Sequence, residues 1–218
     1  MELIKKTKIF KKPELKQAAQ LLSAGKLVAF PTETVYGLGA NALNPKAVKK
    51  IFTAKGRPAD NPLIVHIACK DDIRKLIKNR LSTTAKEVIN EFWPGPLTIV
   101  VPKSDQVPSI TTGDLDTVAI RMPGHPIALK LIKEAQTPLA APSANLSGRP
   151  SPTLAKHVIQ DLAGRIEGII DGGQTGIGVE STVIDIRSEQ VKVLRPGGIS
   201  REELSQFLGE KVILASDL

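Results

Sequence analysis

The stretch GIIDGGQTGIGVESTVIDIRSEQVKVLRPGG, Gly168 to Gly198, decides the fold class. It contains three short apolar runs, GII, STVIDI and VKVLR, separated by glycine-rich or polar loops. Strands that follow each other without a helix pair antiparallel, because a parallel crossover takes a dozen or more residues. Upstream the pattern is different, with helices and strands interleaved. A helix entered near Pro13 places Leu15, Ala18 and Leu22 on one face and stops at Gly25, ahead of the strand KLVAF. NPKAVKKIFTAKG is a second helix, with Asn44 as N-cap, Pro45 in the first turn and Val48, Ile51 and Phe52 on the apolar face. PLIVHIA is a strand, and DDIRKLI and TTAKEVINEF read as helices capped by Asp71 and by Thr83 or Thr84. PLTIVV, TVAIRMP and LAAPSA are strands, with a helix at 126–136 between the last two. TLAKHVIQDLAG is a helix ending at Gly164, and REELSQFLG closes as another. The expectation is an α/β fold with a mixed sheet and helical cover, not a regular doubly wound one.

The chain has 218 residues, enough to bury a core without disulfides or metal. Its one cysteine, Cys69, rules out an internal disulfide and, within the apolar run IVHIAC, reads as a small core residue. The formal charge of +8 favours polyanionic partners, nucleotides or RNA. Aromatics make up only 3%, a poor supply of stacking platforms for single-stranded RNA. No signal-peptide core and no run of about 18 apolar residues is present, so the expected location is cytoplasmic and no membrane partner is expected. The P-loop, the H-E-x-x-H metal motif and the G-x-S-x-G elbow are all absent. GIGVES at 176–181 precedes a strand instead of opening a helix, so the dinucleotide fingerprint lacks its context.

Polar and cationic residues cluster instead at strand ends, before Gly or Pro, where open α/β sheets build ligand clefts. Lys55 and Arg57 flank Gly56 at a helix end, a point charge and a planar fork suited to polyphosphate or simply to the helix C-terminus. His66 lies in the apolar run LIVHI and is either a core residue or a ligand contact. Thr117 and Arg121 are four apart on one strand and face the same side, and an arginine there is costly unless paired, by a ligand carboxylate or by a structural Asp or Glu. Ser143, Asn145, Ser147, Arg149 and Ser151 crowd the loop APSANLSGRPSPT, where they can bind ribose, phosphate or magnesium or stabilise turns. Ser181 and Arg195 stand at a strand start and a strand end. PTETVYGLG sets Thr32, Glu33, Thr34 and Tyr36 on a strand-end ledge.

PTETVYGLG, KGRPADNPL, FWPGPLT, VAIRMPGHP, APSANLSGRPSPT, GVESTVIDI and LRPGGIS together resemble the YrdC/Sua5 family, the L-threonylcarbamoyladenylate synthases. The likeness runs from about residue 12 to 208, with the GVESTV and LRPGG end closer to the Sua5 branch. It implies a YrdC-like twisted open mixed sheet with a large concave, positively charged cavity. The expected division is a catalytic domain at 1–208 and a tail or linker start at 209–218. A Sua5-type C-terminal domain is not in this sequence, which reads as a naturally short member or an excised catalytic domain.

The implied reaction takes L-threonine, bicarbonate or CO2 and ATP to threonylcarbamoyl-AMP and pyrophosphate, for N6-threonylcarbamoyladenosine at position 37 of tRNA. A threonylcarbamoyl-transfer complex would take the product onward, and weak direct tRNA binding is compatible with the charge. The resemblance assigns Lys55, Arg57, Ser143 and Asn145 to catalysis around the phosphates. It assigns Arg57, Asn61, Thr117, Ser143, Ser151 and Arg195 to ATP. L-threonine falls to Thr34, His66, Arg121, Ala141 and Ser181. Thr34 is the expected threonine contact on the ledge, Tyr36 a cavity wall, and Glu33 a partner for Lys55 or Arg57 or a structural salt bridge. Mg2+ would ride on the ATP phosphates with no dedicated protein cage. An RNA-binding module, or a paralogue that hydrolyses or transfers carbamoyl adenylates, is the competing expectation.

Overall fold

The structure is a computed structural model and describes residues 7–11, 14–209 and 212–215. Its strands are β1 (Lys8–Phe10), β2 (Val28–Pro31), β3 (Tyr36–Asn41), β4 (Ile64–His66), β5 (Leu97–Pro102), β6 (Thr117–Arg121), β7 (Leu139–Ala140), β8 (Gly168–Ile170), β9 (Thr182–Asp185), β10 (Val191–Arg195) and β11 (Val212–Leu214). The helices are α1 (Leu15–Ser23), α2 (Pro45–Lys55), α3 (Thr83–Phe92), α4 (Ser109–Thr112), α5 (Pro126–Ala135), α6 (Ala155–Leu162) and α7 (Arg201–Leu208). One sheet runs in the order β1-β8-β2-β3-β7-β4-β6-β5-β9-β10-β11. Parallel and antiparallel ladders are mixed: β5 is antiparallel to β6 and parallel to β9, and β9 is antiparallel to β10. β8 does not pair with β9 but lies parallel to β1 and β2. Of the three consecutive runs from Gly168 onward only the last two therefore form an antiparallel pair, because the long glycine-rich loop 171–181 carries the chain to the other side of the sheet. The sheet continues past residue 208, because Val212 pairs with Val191 in a parallel β10–β11 ladder.

Local signals explain several elements. Asn44 accepts from Lys46 N and Ala47 N, Pro45 fills the first turn of α2, and Gly56 ends it at φ 62°, a conformation that costs glycine little. Two cap assignments change. Ser82, not Thr83 or Thr84, caps α3 through Ala85 N, and Lys70–Lys75 is a 3-10 helix preceded by Cys69, so Asp71 is inside it and caps nothing. Cys69 itself is exposed, since it falls just after β4 has left the core. Pro13 lies outside the described residues.

Alternation along the strands splits the core. Val28 and Phe30 of β2 join a cluster with Leu15, Ala18 and Leu22 of α1 and Ile127, Leu131 and Ala135 of α5. Leu27 and Ala29 point the other way, into the larger cluster packed by α2, α3 and α6. Register carries the first face across the sheet: Phe30 pairs with Gly37, Leu139 with His66, His66 with Arg121, Arg121 with Thr98, and Thr98 with Val183. Along β6 the odd residues Thr117, Ala119 and Arg121 line a cavity, while Val118 and Ile120 enter the larger core. Helices α1 and α5 cover this face near β2, and the cavity opens over β4, β6, β5, β9 and β10.

Candidate active site

The cavity has a volume of about 840 Å³. Four arginines and three carboxylates line it: Arg57, Arg121, Arg187 and Arg195 with Asp116, Glu180 and Asp185. Among the described residues no three His, Cys, Asp or Glu side chains converge in a way that could hold a metal ion. No helix among them is long and apolar enough to cross a membrane.

Arg121 is 3% exposed, at the end of β6. Its Nε donates to Gly95 O at 3.1 Å and its Nη1 to Thr34 Oγ1 at 3.0 Å. Its Nη2 lies 2.7 Å from Glu33 Oε1. Burial lowers the guanidinium pKa and the Glu33 charge pulls it back up, so the buried cation is kept by a structural carboxylate. Glu33 therefore partners Arg121, not Lys55 or Arg57: the β2–β3 turn brings it beside β6. Thr34 is fixed by Thr32, whose hydroxyl lies 2.8 Å from Thr34 Oγ1 and donates to Val35 O at 2.6 Å. His66, the register partner of Arg121, is held neutral: burial first, then the Arg121 charge, lower its pKa to about 3. Ala141 completes this wall, its N–H bonded to Ile64 O at 2.9 Å.

A second group surrounds Arg57 and Ser143. Arg57 Nε is buried and has no hydrogen-bond partner among the described residues. Asn61 and Thr117 border the same cavity. Lys55 is 2% exposed and stands behind this wall, where its Nζ donates to the carbonyls of Ser143 and Asn145, both at 2.5 Å. Burial, then repulsion from Arg57, lowers its pKa to about 8. Asn145 Nδ2 donates to Leu146 O and Arg149 O at 2.9 and 2.7 Å. Lys55 and Asn145 thus shape the 143–149 loop from within, and of these loop contacts Ser143 lines the cavity, together with Arg57, Asn61 and Thr117.

The third group joins Ser151, Glu180, Ser181 and Arg195. Arg195 Nη1 is paired with Glu180 Oε2, and its Nη2 donates to Ser181 O at 2.8 Å and Ser181 Oγ at 3.2 Å. Ser181 Oγ is also 2.8 Å from Thr98 Oγ1, and Ser151 Oγ donates to Glu180 Oε1 at 3.0 Å.

Arg57, Asn61, Thr117, Ser143, Arg195, Thr34, His66, Arg121, Ala141 and Ser181 all line one cavity, while Lys55, Asn145 and Ser151 do not. Tyr36 is fully buried, not a cavity wall: its hydroxyl donates to Gly173 O at 2.7 Å and accepts from Gly172 N, tethering the glycine-rich loop. Sequence reasoning missed Glu180 and Thr98. Glu180 had one signal, a carboxylate directly before Ser181 at a strand start.

Residues 20–197 match the Sua5/YciO/YrdC family profile, described as "Telomere recombination". The chain belongs to the Sua5/YciO/YrdC family. Among its relatives in this family, the threonylcarbamoyl-AMP synthase of Pyrococcus abyssi is 59% identical over 197 residues, covering 90% of this chain and 58% of that protein. The threonylcarbamoyl-AMP synthase of Vibrio campbellii is 32% identical over 182 residues, covering 83% of this chain and 97% of that protein. A crystal structure of P. abyssi Sua5 complexed with L-threonine superposes with a TM-score of 0.92 at 56% identity, over 95% of this chain and 63% of that one. The chain thus spans less than two thirds of the P. abyssi protein and nearly the whole length of the Vibrio one. The Sua5 likeness extends to the fold, a mixed α/β sheet with helices on its faces.

Proposed function

We propose that this chain is an L-threonylcarbamoyladenylate synthase. The threonine amine adds to CO2, from bicarbonate, giving N-carboxy-L-threonine and releasing a proton. The new carboxylate attacks the α-phosphorus of ATP, the bond from that phosphorus to the β-bridging oxygen breaks, and pyrophosphate leaves. Threonylcarbamoyl-AMP then passes to transfer partners that act on tRNA. A cytoplasmic setting suits a chain with a single, exposed thiol.

The observation that carries this reading is that one cavity joins two unlike groups. The first is a buried arginine with a threonine hydroxyl and a neutral imidazole beside it, Arg121 with Thr34 and His66. That set suits a small amino acid: the guanidinium takes the carboxylate, and Thr34, Ser181 and the Ala141 backbone take the remaining polar atoms. The second is Arg57, whose Nε has no partner among the described residues, in the same cavity lining as Ser143, Asn61, Thr117 and Arg195. That set suits a nucleotide polyphosphate. Lys55 and Asn145 would act through the loop they hold, keeping its polar groups aimed while charge develops on the leaving phosphates. Such a reaction asks the protein mainly for positioning and charge stabilisation. With no group of three His, Cys, Asp or Glu among the described residues placed to hold a metal ion, Mg2+ would be carried by the triphosphate oxygens and water, and would serve there to neutralise phosphate charge.

The test is pyrophosphate release from ATP with Mg2+ and bicarbonate, with and without L-threonine, using serine and valine as controls. Release that depends on threonine and is weak with the controls is expected. Release independent of the amino acid, or none from folded protein that also fails to bind threonine and ATP, would overturn the reading.

A further inference from the structure

One carboxylate in the main cavity faces the cations of several elements at once. Glu180 lies in the loop before β9, with its side chain 37% exposed and part of the cavity lining. Oε2 is paired with Arg195 at the end of β10, and Oε1 accepts from Ser151 at 3.0 Å. Its charge reaches further, favouring the charged forms of Lys55, Arg57 and Arg121. The neighbouring carboxylate Asp185 is committed elsewhere, accepting from Arg187 Nε at 2.9 Å and from Arg187 Nη2 at 2.7 Å.

The backbone fixes this placement. Gly198 N–H donates to Glu180 O at 3.0 Å. At Gly197 a Cβ would stand 2.4 Å from Glu180 O and 2.5 Å from Thr182 N, so only glycine allows the two loops to meet. Ile199 N donates to Thr182 Oγ1 at 2.9 Å, closing the same seam. The LRPGG turn after β10 and the loop before β9 thereby hold Arg195 and Glu180 against each other.

We infer that Glu180 is a built-in counter-ion for the anion-binding part of the cavity, standing where a ligand phosphate would meet Arg195 and Ser151, so that an incoming polyphosphate must displace it. This rests on the nucleotide reading of the cavity. Arg57 and Lys55 repel each other, and Arg195 repels Arg57 and Arg121. A carboxylate among them offsets that repulsion. The same carboxylate repels phosphate, weakening polyphosphate binding and speeding release of pyrophosphate. Glu180 acts through Arg195 and Ser151 and is a positioning residue.

The experiment is calorimetric titration of the full chain with inorganic pyrophosphate and separately with Mg-ATP, comparing wild type with Glu180→Gln, followed by steady-state kinetics. Glutamine keeps the size and removes the charge. At an effective dielectric near 20 a unit charge several ångströms away is worth a factor of ten or more. Pyrophosphate should bind Glu180→Gln about ten-fold tighter, an advantage that shrinks with added salt. The KM for ATP and kcat should fall together, with stronger pyrophosphate inhibition, while threonine affinity stays within about two-fold. Glu180→Asp, which retains the charge on a shorter arm, should bind pyrophosphate with intermediate affinity and serves if the glutamine variant does not fold. Unchanged or weaker pyrophosphate binding in a folded variant overturns the counter-ion. A loss of Mg-ATP binding alone overturns it too, and would mark Glu180 as a metal ligand. Wild type that binds neither pyrophosphate nor ATP would sink the nucleotide reading together with it, whereas wild type that binds both, with no gain in the variants, sinks the counter-ion alone.

Discussion

Arg121 Nη2 and Glu33 Oε1 are 2.7 Å apart, a buried ion pair between the end of β6 and the β2–β3 turn. Both the Glu33 charge and its hydrogen bond favour the charged guanidinium. The guanidinium is 4% exposed and the carboxylate 18%, so both ions are largely out of water. Arg121 also donates to Gly95 O and Thr34 Oγ1, so three of its five N–H groups have protein partners. Glu33 thus keeps the arginine charged in the core without saturating it, and a second carboxylate can share the fork.

Glu33→Gln should lower stability by about 3 kcal/mol, because removing one partner leaves a buried charge uncompensated. Threonine should then raise the melting temperature of the variant more than that of wild type, since its carboxylate restores the missing charge. Equal shifts by thermal unfolding would show that the amino acid does not reach Arg121.

Arg121→Ala should raise the KM for threonine by about 100-fold or more, the scale of losing a charge-assisted bidentate contact. ATP affinity should change by only a few-fold. An equal loss of both, measured by calorimetry, would make Arg121 a scaffold residue.

Lys55 has a folded-state pKa near 8 against an ordinary 10.5, because burial and Arg57 oppose its charge. The charged amine holds the Ser143 and Asn145 carbonyls, so kcat/KM for ATP should fall as pH rises through about 8. Stability runs the opposite way. Between about 8 and 10.5 the unfolded chain binds more protons than the folded one, so this group makes stability rise with pH across that window. Lys55→Ala should depress turnover more than threonine affinity, and unchanged turnover in a pH-rate study would show that the loop held by Lys55 does not set the phosphate site.

His66 is buried neutral with a pKa lowered to about 3 from 6.5. The unfolded chain takes up the proton first, so the contribution of this group to stability is complete above about 6.5 and is lost as pH falls towards 3. His66→Asn should flatten that acid limb of the unfolding curve. A variant with the same pH slope as wild type would show that other groups set acid lability.

Much of the fold was legible because its signals are local. The Asn44–Pro45 entry into α2, the Gly56 exit and the three closely spaced strands from Gly168 onward depend on neighbours in the chain. β1 and β3 were not legible. β3, YGLGAN, carries two glycines and no β-branched residue, and reads as loop. Its glycines make room for a ring: a Cβ at Gly39 would stand 2.8 Å from Phe30 Cε1. That reason exists only once β2 lies beside β3.

The candidate site divides the same way. Period two alone puts Thr117 and Arg121 on one face of β6, and chain chemistry alone marks Lys55, Arg57 and the 143–151 loop as an unusual concentration of charge and short polar groups. Whether a marked residue meets solvent, substrate or another residue is decided by packing over long separations. Arg121 meets Thr34 from 87 residues away, and Lys55 turns into the loop carbonyls of residues 88 and 90 positions on. Which face a side chain occupies is a property of its own strand. Which partner waits there depends on the strand order and on the unfavourable cost of leaving a buried charge alone, and those are settled only when the whole sheet closes.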